Sequence, residues 1–312
     1  MHIIERRRPY RLLYLEALLA RTAPQHSNYP GLKEKVRRRV AGFAGECLFD
    51  RAWHDYAAET QLRFIPDFKF AGHQIDALCI FPSFIVLVEV KNIGGFIQMD
   101  GKTRQFARTW NGVTTGMANP DDQLYWHEKA IRRFISSDLP VIGIAVFTNP
   151  TAVLEVKNIK RRVLHLSGLP FILDELQSDY RRSPKINIEH YFEYFFSLQP
   201  PLQIKQPASI PYPLLNGVFC QHCPYVKMNY ALGFWRCPSC KTKQADAHQV
   251  ALQDYRLLVG PSISNREFRS FTGLQSRTNA TVILKNCGFQ TVGNRKSTRY
   301  VIPESDLRKP VR

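Results

Sequence analysis

The sequence predicts an α/β fold, in which helices cover a mixed β-sheet, followed by two small modules. Helical and strand-like patterns alternate between residues 41 and 178. A proline-rich segment follows, and beyond it lie two close pairs of cysteines and a basic tail. We therefore expect five parts: a basic N-terminal helix and loop at 1–40, the α/β domain at 41–198, a linker at 199–215, a cysteine module at 216–249 and a basic domain at 250–312.

The composition points to a polyanionic partner. The chain has 312 residues and a net charge of +17, and its basic residues concentrate at the two ends. Such a surplus favours nucleic acid first and an anionic surface second. No apolar run approaches the roughly 20 residues that span a bilayer, which excludes an integral membrane protein. Seven cysteines do not form a disulfide scaffold and indicate a reducing cytoplasm.

The α/β domain is expected to follow the order helix, strands, helix, strand. The first helix is expected to begin near Gly42, after a loop at 28–31. Two strands follow near 73–81 and 84–91. A second helix should run from Asn119 to about Ser136, since proline in the first turn and nearby acids favour a helix start. A buried strand is expected from Val141 to Phe147.

Asp76, Glu89 and Lys91 form the most informative pattern. Glu89 and Lys91 end an apolar run that begins at Phe84, and alternation along a strand places both on one face. Asp76 lies in the preceding apolar stretch, and the break at 82–83 predicts antiparallel pairing that brings Asp76 close to Glu89. Metal-assisted phosphodiester cleavage requires carboxylates and a cationic group in one cleft.

This pattern predicts an Mg²⁺ or Mn²⁺ site. Asp76 and Glu89 would supply the carboxylates, and the Val90 carbonyl would supply a third oxygen ligand. Lys91 would orient or deprotonate water, or stabilise developing negative charge. The alternative is a buried ion pair between Asp76 and Lys91. The string Glu-Val-Lys-Asn occurs at 89–92 and again at 155–158. The second copy follows a loop signal and has no aspartate on a strand paired directly before it, so we expect a solvated strand edge or a loop.

Five ordered pieces make the resemblance to a known family specific. They are Gly42-Phe43-Ala44-Gly45-Glu46, Gln74-Ile75-Asp76, Glu89-Val90-Lys91-Asn92, Asn119-Pro120 with Gln123, and Val146-Phe147-Thr148-Asn149-Pro150. Residues 41–150 resemble the NERD (nuclease-related) domain of the PD-(D/E)xK nuclease-like superfamily. The resemblance implies a restriction-endonuclease-like mixed sheet flanked by helices and divalent-metal nuclease chemistry.

The resemblance also implies roles for individual residues. Asp76 and Glu89 would bind the metal, and Lys91 would be the catalytic lysine. Glu46 would reach the same cleft to bind a second metal or hold a metal-bound water, unless it is a surface residue of an amphipathic helix. Gln123 would support the substrate, unless it only satisfies backbone groups of its helix.

The cysteines Cys220, Cys223, Cys237 and Cys240 have the spacing of a structural zinc site. Two C-x2-C pairs separated by thirteen residues present four thiolates, which close a tetrahedral Zn²⁺ site and leave no open position. The module resembles a zinc ribbon. The alternatives are redox pairs or free cysteines, and His222 and His248 are substitute ligands.

The tail resembles a winged helix-turn-helix. Ser264 and Glu267 form a capping box that opens a short helix. A second helix from about Ser276 to Asn286 would place Arg277 and Asn279 in a major groove. A basic hairpin would bring Arg295, Lys296 and Arg299 to phosphates or the minor groove. The alternative is a small structural cap with solvated charges.

These observations favour a metal-dependent nuclease that acts on DNA rather than RNA. The competing interpretation is a DNA-binding regulator or scaffold built on an inactive nuclease-like core. An enzyme directed at RNA is a weaker third option. The sequence gives no information on oligomeric state, sequence specificity, or endonuclease versus exonuclease action.

Overall fold

A computed structural model describes residues 4–58, 62–135, 138–200 and 210–303. The chain forms two compact units. The first unit comprises Met1–Arg6 and Val40–Gln203, and the second comprises Arg7–Arg39 and Ile204–Arg312. Each unit is therefore assembled from two separate stretches of chain. The predicted linker residues 201–209 and the last residues of the predicted basic domain, 304–312, lie outside the described residues.

The helices and strands are numbered in chain order. The helices are α1 Tyr10–Ala20, α2 Tyr29–Ala57, α3 Pro120–Ile131, α4 Leu169–Asp179, α5 Ile188–Leu198, α6 His248–Leu258, α7 Asn265–Thr272 and α8 Arg277–Asn286. The strands are β1 Arg63–Phe70, β2 His73–Ile80, β3 Ile85–Lys91, β4 Gly95–Asp100, β5 Gln105–Trp110, β6 Val113–Gly116, β7 Val141–Phe147, β8 Ala152–Lys157, β9 Arg162–His165, β10 Asn229–Ala231, β11 Phe234–Arg236, β12 Lys243–Gln244, β13 Ser262–Ser264, β14 Gln290–Val292 and β15 Arg299–Val301.

The main sheet of the first unit is mixed, as predicted. Its order is β1-β2-β3-β7-β9, with β1, β2 and β3 antiparallel and β7 and β9 parallel to β3. The central strand β3 is almost wholly buried because its Ile, Val and Leu side chains face apolar layers on both sides. Trp53 of α2 and Leu173 of α4 pack on one face, and Leu124 of α3 and Phe195 of α5 pack on the other. The fold class is therefore mixed α/β.

A second, smaller sheet extends the first unit. Its order is β6-β5-β4-β8, and it buries Ile97, Met99 and Phe106 against Phe147. Strand β8 is an edge strand in this sheet and pairs only with β4 among the described strands. The second Glu-Val-Lys-Asn copy therefore lies at a sheet edge, as expected.

Two helix boundaries differ from the prediction. Helix α2 begins at Tyr29 and not near Gly42, so the expected loop at 28–31 is the first turn of a long helix. Proline is tolerated in a first turn, and Glu34 pairs with Arg37 and Arg38 one turn later. Helix α3 ends at Ile131 and not near Ser136, because its last turn tightens into i→i−3 bonds, as from Phe134 N to the Ile131 carbonyl. Ser136 itself lies outside the described residues.

The second unit has a core that links the cysteine module to the tail. Trp235 of β11 packs in the same apolar cluster as Leu252 of α6, Phe268 of α7 and Leu284 of α8. The predicted division at residue 249 therefore does not separate two cores. Whether these parts act as distinct domains stays a prediction.

The N-terminal helix α1 is the component of the second unit that comes from the start of the chain. Ala17 and Leu18 of α1 pack against Leu257 and Leu258 of α6. Arg21, just after α1, is buried, and its guanidinium bonds Asp254 at 2.7 Å and the Gly217 carbonyl at 2.6 Å. This ion pair fixes the N-terminal segment to residues more than 190 positions later in the chain.

Within the described ranges, no helix has both the length and the apolar character that are needed to cross a membrane.

Candidate active site and cysteine site

Asp76 is held beside β3 by its own side chain. Strands β2 and β3 pair antiparallel up to Ala77 and Val88, so Asp76 and Glu89 are the next residues along the two strands. The Val90 N–H donates to Asp76 Oδ2 at 2.8 Å. This bond replaces a backbone ladder bond and fixes the carboxylate at the end of the paired region.

Glu89, Lys91 and Gln123 form a hydrogen-bonded row next to Asp76. The Lys91 ammonium donates to Glu89 Oε1 at 2.5 Å and to Gln123 Oε1 at 2.9 Å. Lys91 thus pairs with Glu89, and not with Asp76 as in the ion-pair alternative. Gln123 belongs to α3, whose start is fixed by Asn119, because the Asn119 side chain accepts from the Asp121 N–H at 2.9 Å.

Gly45 explains how Glu46 reaches this region. A side chain at Gly45 would lie 2.4 Å from Asn92 Cβ and 2.7 Å from Thr148 Oγ1, so α2 approaches the ends of β3 and β7 more closely than alanine permits. The Asn92 amide also donates to the Ala41 carbonyl at 2.8 Å. Three of the five sequence pieces that carry the family resemblance therefore contact one another here.

Glu46 is bonded to an arginine from the start of the chain. Arg6 Nη1 donates to Glu46 Oε2 at 2.9 Å, and Arg6 Nε donates to Asp50 Oδ2 at 2.7 Å. Arg6 Nη2 donates to Asp50 Oδ1 and to the Asp76 carbonyl, both at 2.8 Å. Burial lowers the pKa of Arg6, but the bond to Asp50 and the charges of Asp50, Glu46 and Asp76 outweigh it and raise that pKa overall.

Asp76 carries the electrostatic signature of a crowded acidic site. Burial raises the pKa of Asp76 well above its usual value, and the charges of Glu89 and Glu46 raise it further. The Val90 N–H and Lys91 lower it and only partly compensate. A divalent cation at this position would relieve the repulsion between the carboxylates.

The donor set fits a hard divalent cation. Two carboxylates, from Asp76 and Glu89, and the Val90 carbonyl are oxygen ligands of the kind that Mg²⁺ and Mn²⁺ prefer, with water completing the octahedron. Mg²⁺ in proteins is usually bound by one or two carboxylates and keeps several of its waters, so three protein ligands are sufficient.

Three residues near the site were missed by the sequence prediction: Arg6, Asp50 and His127. Asp50 follows Glu46 by one helical turn, so the i,i+4 spacing gave a usable signal. His127 follows Gln123 by the same spacing and is buried, and its Nδ1 finds no hydrogen-bond partner among the described residues. Burial lowers the pKa of His127 to about 4, with smaller effects from His73 and Lys91. No local sequence pattern indicates the role of Arg6, because the residues that it contacts lie 40 to 70 positions away in the chain.

The second Glu-Val-Lys-Asn copy requires one correction. We expected no aspartate on a strand before it, but Asp100 ends β4 and is in register with Lys157 of β8. Asp100 accepts bonds from the Lys102 N–H at 2.7 Å and the Asn158 amide at 3.2 Å, and these bonds lower its pKa. Asp100 therefore caps a turn, and nothing at this edge crowds its charge.

The four cysteines converge in the second unit. The thiol sulfurs of Cys220, Cys223, Cys237 and Cys240 all lie within 4.8 Å of one another. Within the described residues, this is the only group of three or more His, Cys, Asp or Glu that meets this distance. Each pair sits in a tight turn, with the Cys220 N–H bonded to the Val226 carbonyl and the Cys237 N–H to the Thr242 carbonyl. Four converging thiolates fit a tetrahedral Zn²⁺.

The histidine near this quartet has a different role. The buried ring of His248 accepts from Trp235 Nε1 at 3.2 Å and lies 3.6 Å from the Cys287 sulfur. His248 therefore belongs to the core beside β11. Among the described residues, Cys47, Cys79 and Cys287 form no disulfide.

The predicted nucleic-acid contacts of the tail are partly exposed. Ser264 and Glu267 form the predicted capping box, and α7 ends at Gly273, whose φ of 76° favours glycine. Arg277 and Asn279 are exposed in the first turn of α8, and Arg295 is exposed between β14 and β15. The Arg299 guanidinium bonds Ser262 and Glu267. The side chain of Lys296 lies outside what the structure describes.

The comparisons with known proteins agree with the geometry of the first unit. Residues 41–148 match the family model of the nuclease-related domain, NERD. No curated protein and no solved structure matches the chain. The matched segment contains Glu46, Asp76, Glu89, Lys91 and Gln123. It begins near the middle of α2 and ends just after β7. Residues 41–148 of the first unit are therefore similar to the nuclease-related domain.

Proposed function

We propose that the first unit is a divalent-metal-dependent nuclease that hydrolyses phosphodiester bonds, most readily those of DNA. One observation carries the proposal: Asp76, Glu89, Lys91 and Gln123 lie together where the pairing of β2 with β3 ends, within the segment that matches the nuclease-related family. A structural role alone does not require two carboxylates and a lysine at the end of a buried strand.

The residues of this site would have separate roles in phosphodiester hydrolysis. Asp76, Glu89 and the Val90 carbonyl would hold Mg²⁺ or Mn²⁺, which when bound acts as a Lewis acid and lowers the pKa of water. Lys91, oriented by Gln123, would present its ammonium to the scissile phosphate or to the attacking water. Because the Lys91 ammonium is fixed between two oxygens, little reorganisation is needed when negative charge develops.

The second unit would deliver the nuclease to its substrate. We propose that the four cysteines bind one structural Zn²⁺. Arg277 and Asn279 would contact a groove, and Arg295 and Lys296 would contact phosphates. Arg299 would serve chiefly to hold β15 to β13 and α7, since its guanidinium already bonds Ser262 and Glu267. The net charge of +17 supports a polyanionic substrate.

The test is cleavage by purified full-length protein. Supercoiled plasmid, linear duplex, single-stranded DNA and RNA are each incubated with Mg²⁺, Mn²⁺ or EDTA. We expect DNA cleavage that needs the metal and is abolished in Asp76→Asn. A matched control, Asp100→Asn, should cut like the wild type because Asp100 is only half-buried at the end of β4 and hydrogen-bond donors stabilise its charge.

Three other results would each contradict part of this proposal. Salt-dependent binding without cleavage by any metal would support the alternative of a DNA-binding regulator on an inactive core. Cleavage of RNA alone would replace DNA by RNA as the substrate. Undiminished cleavage by Asp76→Asn would show that the assigned site is wrong. For the cysteines, elemental analysis should find about one zinc per chain.

A further inference from the structure

Arg6 is buried inside the acidic group that the proposed nuclease would use. Its side chain is only 2% exposed, and it contacts Glu46, Asp50 and the Asp76 carbonyl through four hydrogen bonds. Two of these bonds join its planar fork to both oxygens of Asp50. This bidentate geometry is the strongest that an arginine makes with a carboxylate.

These bonds occupy the oxygen atoms that a second metal ion would need. Both Asp50 oxygens and one Glu46 oxygen accept from Arg6. Arginine does not lose its proton in proteins, so its charge is permanent at any pH at which the protein is folded. A cation entering beside Glu46 would have to displace a guanidinium that is shielded from water.

The charges around Asp76 are consistent with one further cation. Four carboxylates meet here, from Glu46, Asp50, Asp76 and Glu89. Among the described residues, Arg6 bonds Glu46 and Asp50, and Lys91 bonds Glu89. The carboxylates therefore outnumber these basic groups, which favours a bound divalent ion.

We propose that Arg6 is a positioning residue that acts as the resident cation of Glu46 and Asp50 and restricts the site to one divalent metal ion. The metal position at Asp76 and Glu89 rests on the proposed nuclease function. The part played by Arg6 rests on the contacts above. Glu46 would then orient Arg6 and leave metal binding to Asp76 and Glu89, unlike the role that the family resemblance implied.

The experiment counts bound Mn²⁺ by electron paramagnetic resonance of the free ion, using full-length protein loaded with zinc. Thiolate sites bind zinc and leave Mn²⁺ to oxygen ligands. We expect Arg6→Ala to bind one more Mn²⁺ per chain than the wild type, because the guanidinium no longer occupies both Asp50 oxygens and one Glu46 oxygen. Arg6→Lys keeps the positive charge and should match the wild type. The exposed neighbour Arg7 provides the control Arg7→Ala, which should also match it.

Further variants keep the test decisive. Arg6→Gln retains hydrogen-bond donors without charge and should also gain one Mn²⁺, which covers the case in which Arg6→Ala fails to fold. Arg6→Gln combined with Asp50→Asn should lose the gained ion. Equal counts in the wild type and in folded Arg6 variants would overturn the inference, as would two Mn²⁺ per wild-type chain at the first unit. Absence of cleavage would overturn the nuclease proposal, but would leave the difference in Mn²⁺ count unchanged.

Discussion

The tetrapeptide Glu-Val-Lys-Asn occurs twice in the first unit, and the two copies share their internal geometry. Lys91 bonds Glu89 at 2.5 Å, and Lys157 bonds Glu155 at 2.8 Å. The pairing is a property of two side chains on the same face of a strand. The copies differ in burial, because the Glu89 and Lys91 side chains are 7% and 21% exposed, whereas those of Glu155 and Lys157 are 36% and 63% exposed.

Each copy also has an aspartate on the neighbouring strand, and the two aspartates behave in opposite ways. Burial and two nearby carboxylates raise the pKa of Asp76. Backbone and amide donors lower the pKa of Asp100, which faces solvent. The residue types therefore do not define a site. The central position of β3 and the helices α2 and α3 around it concentrate charge at the first copy and not at the second.

The largest difference in cleavage rate is expected between variants of the two glutamates, Glu89 and Glu155. Glu89→Gln should lower the rate of DNA cleavage by about 10³-fold or more, since it removes a proposed metal ligand. Glu155→Gln removes the matching carboxylate from the exposed copy and should leave the rate unchanged. Cleavage assays at saturating Mg²⁺ measure both. Equal losses in the two variants would end the functional distinction between the copies.

The two lysines should differ in the same direction by a smaller amount. Lys91→Met should lower the cleavage rate by about 10²-fold, because the ammonium that acts on phosphate or water is lost while the metal ligands stay. Lys157→Met should cut at the wild-type rate. Measured kcat and KM separate the effects, and a change in KM alone for Lys91→Met would assign Lys91 to substrate binding and not to the chemical step.

Acid should destabilise the first unit through His127, which lies on the helix that covers the first copy. Its folded pKa of about 4 is below the unfolded value of 6.5, so its contribution is complete above pH 6.5 and is lost as pH falls towards 4. This loss amounts to about 3 kcal/mol of unfolding free energy.

Denaturant titrations between pH 4 and 7 test this prediction. His127→Gln should show a shallower dependence of stability on pH than the wild type. The exposed His190 of α5 supplies the control His190→Gln, which should retain the wild-type slope. A wild-type slope in His127→Gln would mean that His127 titrates normally in the folded protein.

The smallest effect is expected from the glycines that pack against the last residue of each copy, Asn92 or Asn158. A side chain at Gly45 would meet Asn92 at 2.4 Å, and one at Gly101 would meet the Asn158 carbonyl at 2.0 Å. Alanine at either position should destabilise the unit by about 1 to 3 kcal/mol. Gly45→Ala should also reduce cleavage, because it shifts Glu46, whereas Gly101→Ala should not. Thermal unfolding together with cleavage rates distinguishes these outcomes.

The sequence predicted the parts of the site that are close together in the chain. The register of β2 and β3 follows from two apolar runs joined by a short break, so Asp76 and Glu89 could be placed together. Gln123 needed the family resemblance, because α3 begins about thirty residues after Lys91. The mixed α/β class followed from the order of the patterns, and the structure confirmed it.

The sequence could not predict contacts between distant segments that carry no pattern. Arg6 is one of three consecutive arginines, and nothing local distinguishes it from Arg7 or Arg8. The start of α2 was missed because proline and glycine at 30–31 imitate a loop, although both are tolerated in a first helical turn. The shared core of the second unit is not visible in the sequence, because Trp235 lies between the two cysteine pairs and carries no local signal of its contacts with α6, α7 and α8.

The assembly of the second unit from two distant stretches has a consequence for biosynthesis. Helix α1 leaves the ribosome early, but Leu257 and Leu258, which cover its apolar face, follow some 240 residues later. Protein synthesis proceeds at about 5 to 20 residues per second, so Ala17 and Leu18 lack these packing partners for tens of seconds. The first unit ends near residue 203, so it can fold late in this interval, before Leu257 and Leu258 are synthesised. Nascent chains stalled before residue 248 should therefore expose the apolar face of α1. We expect chaperones that recognise apolar helices to bind such chains.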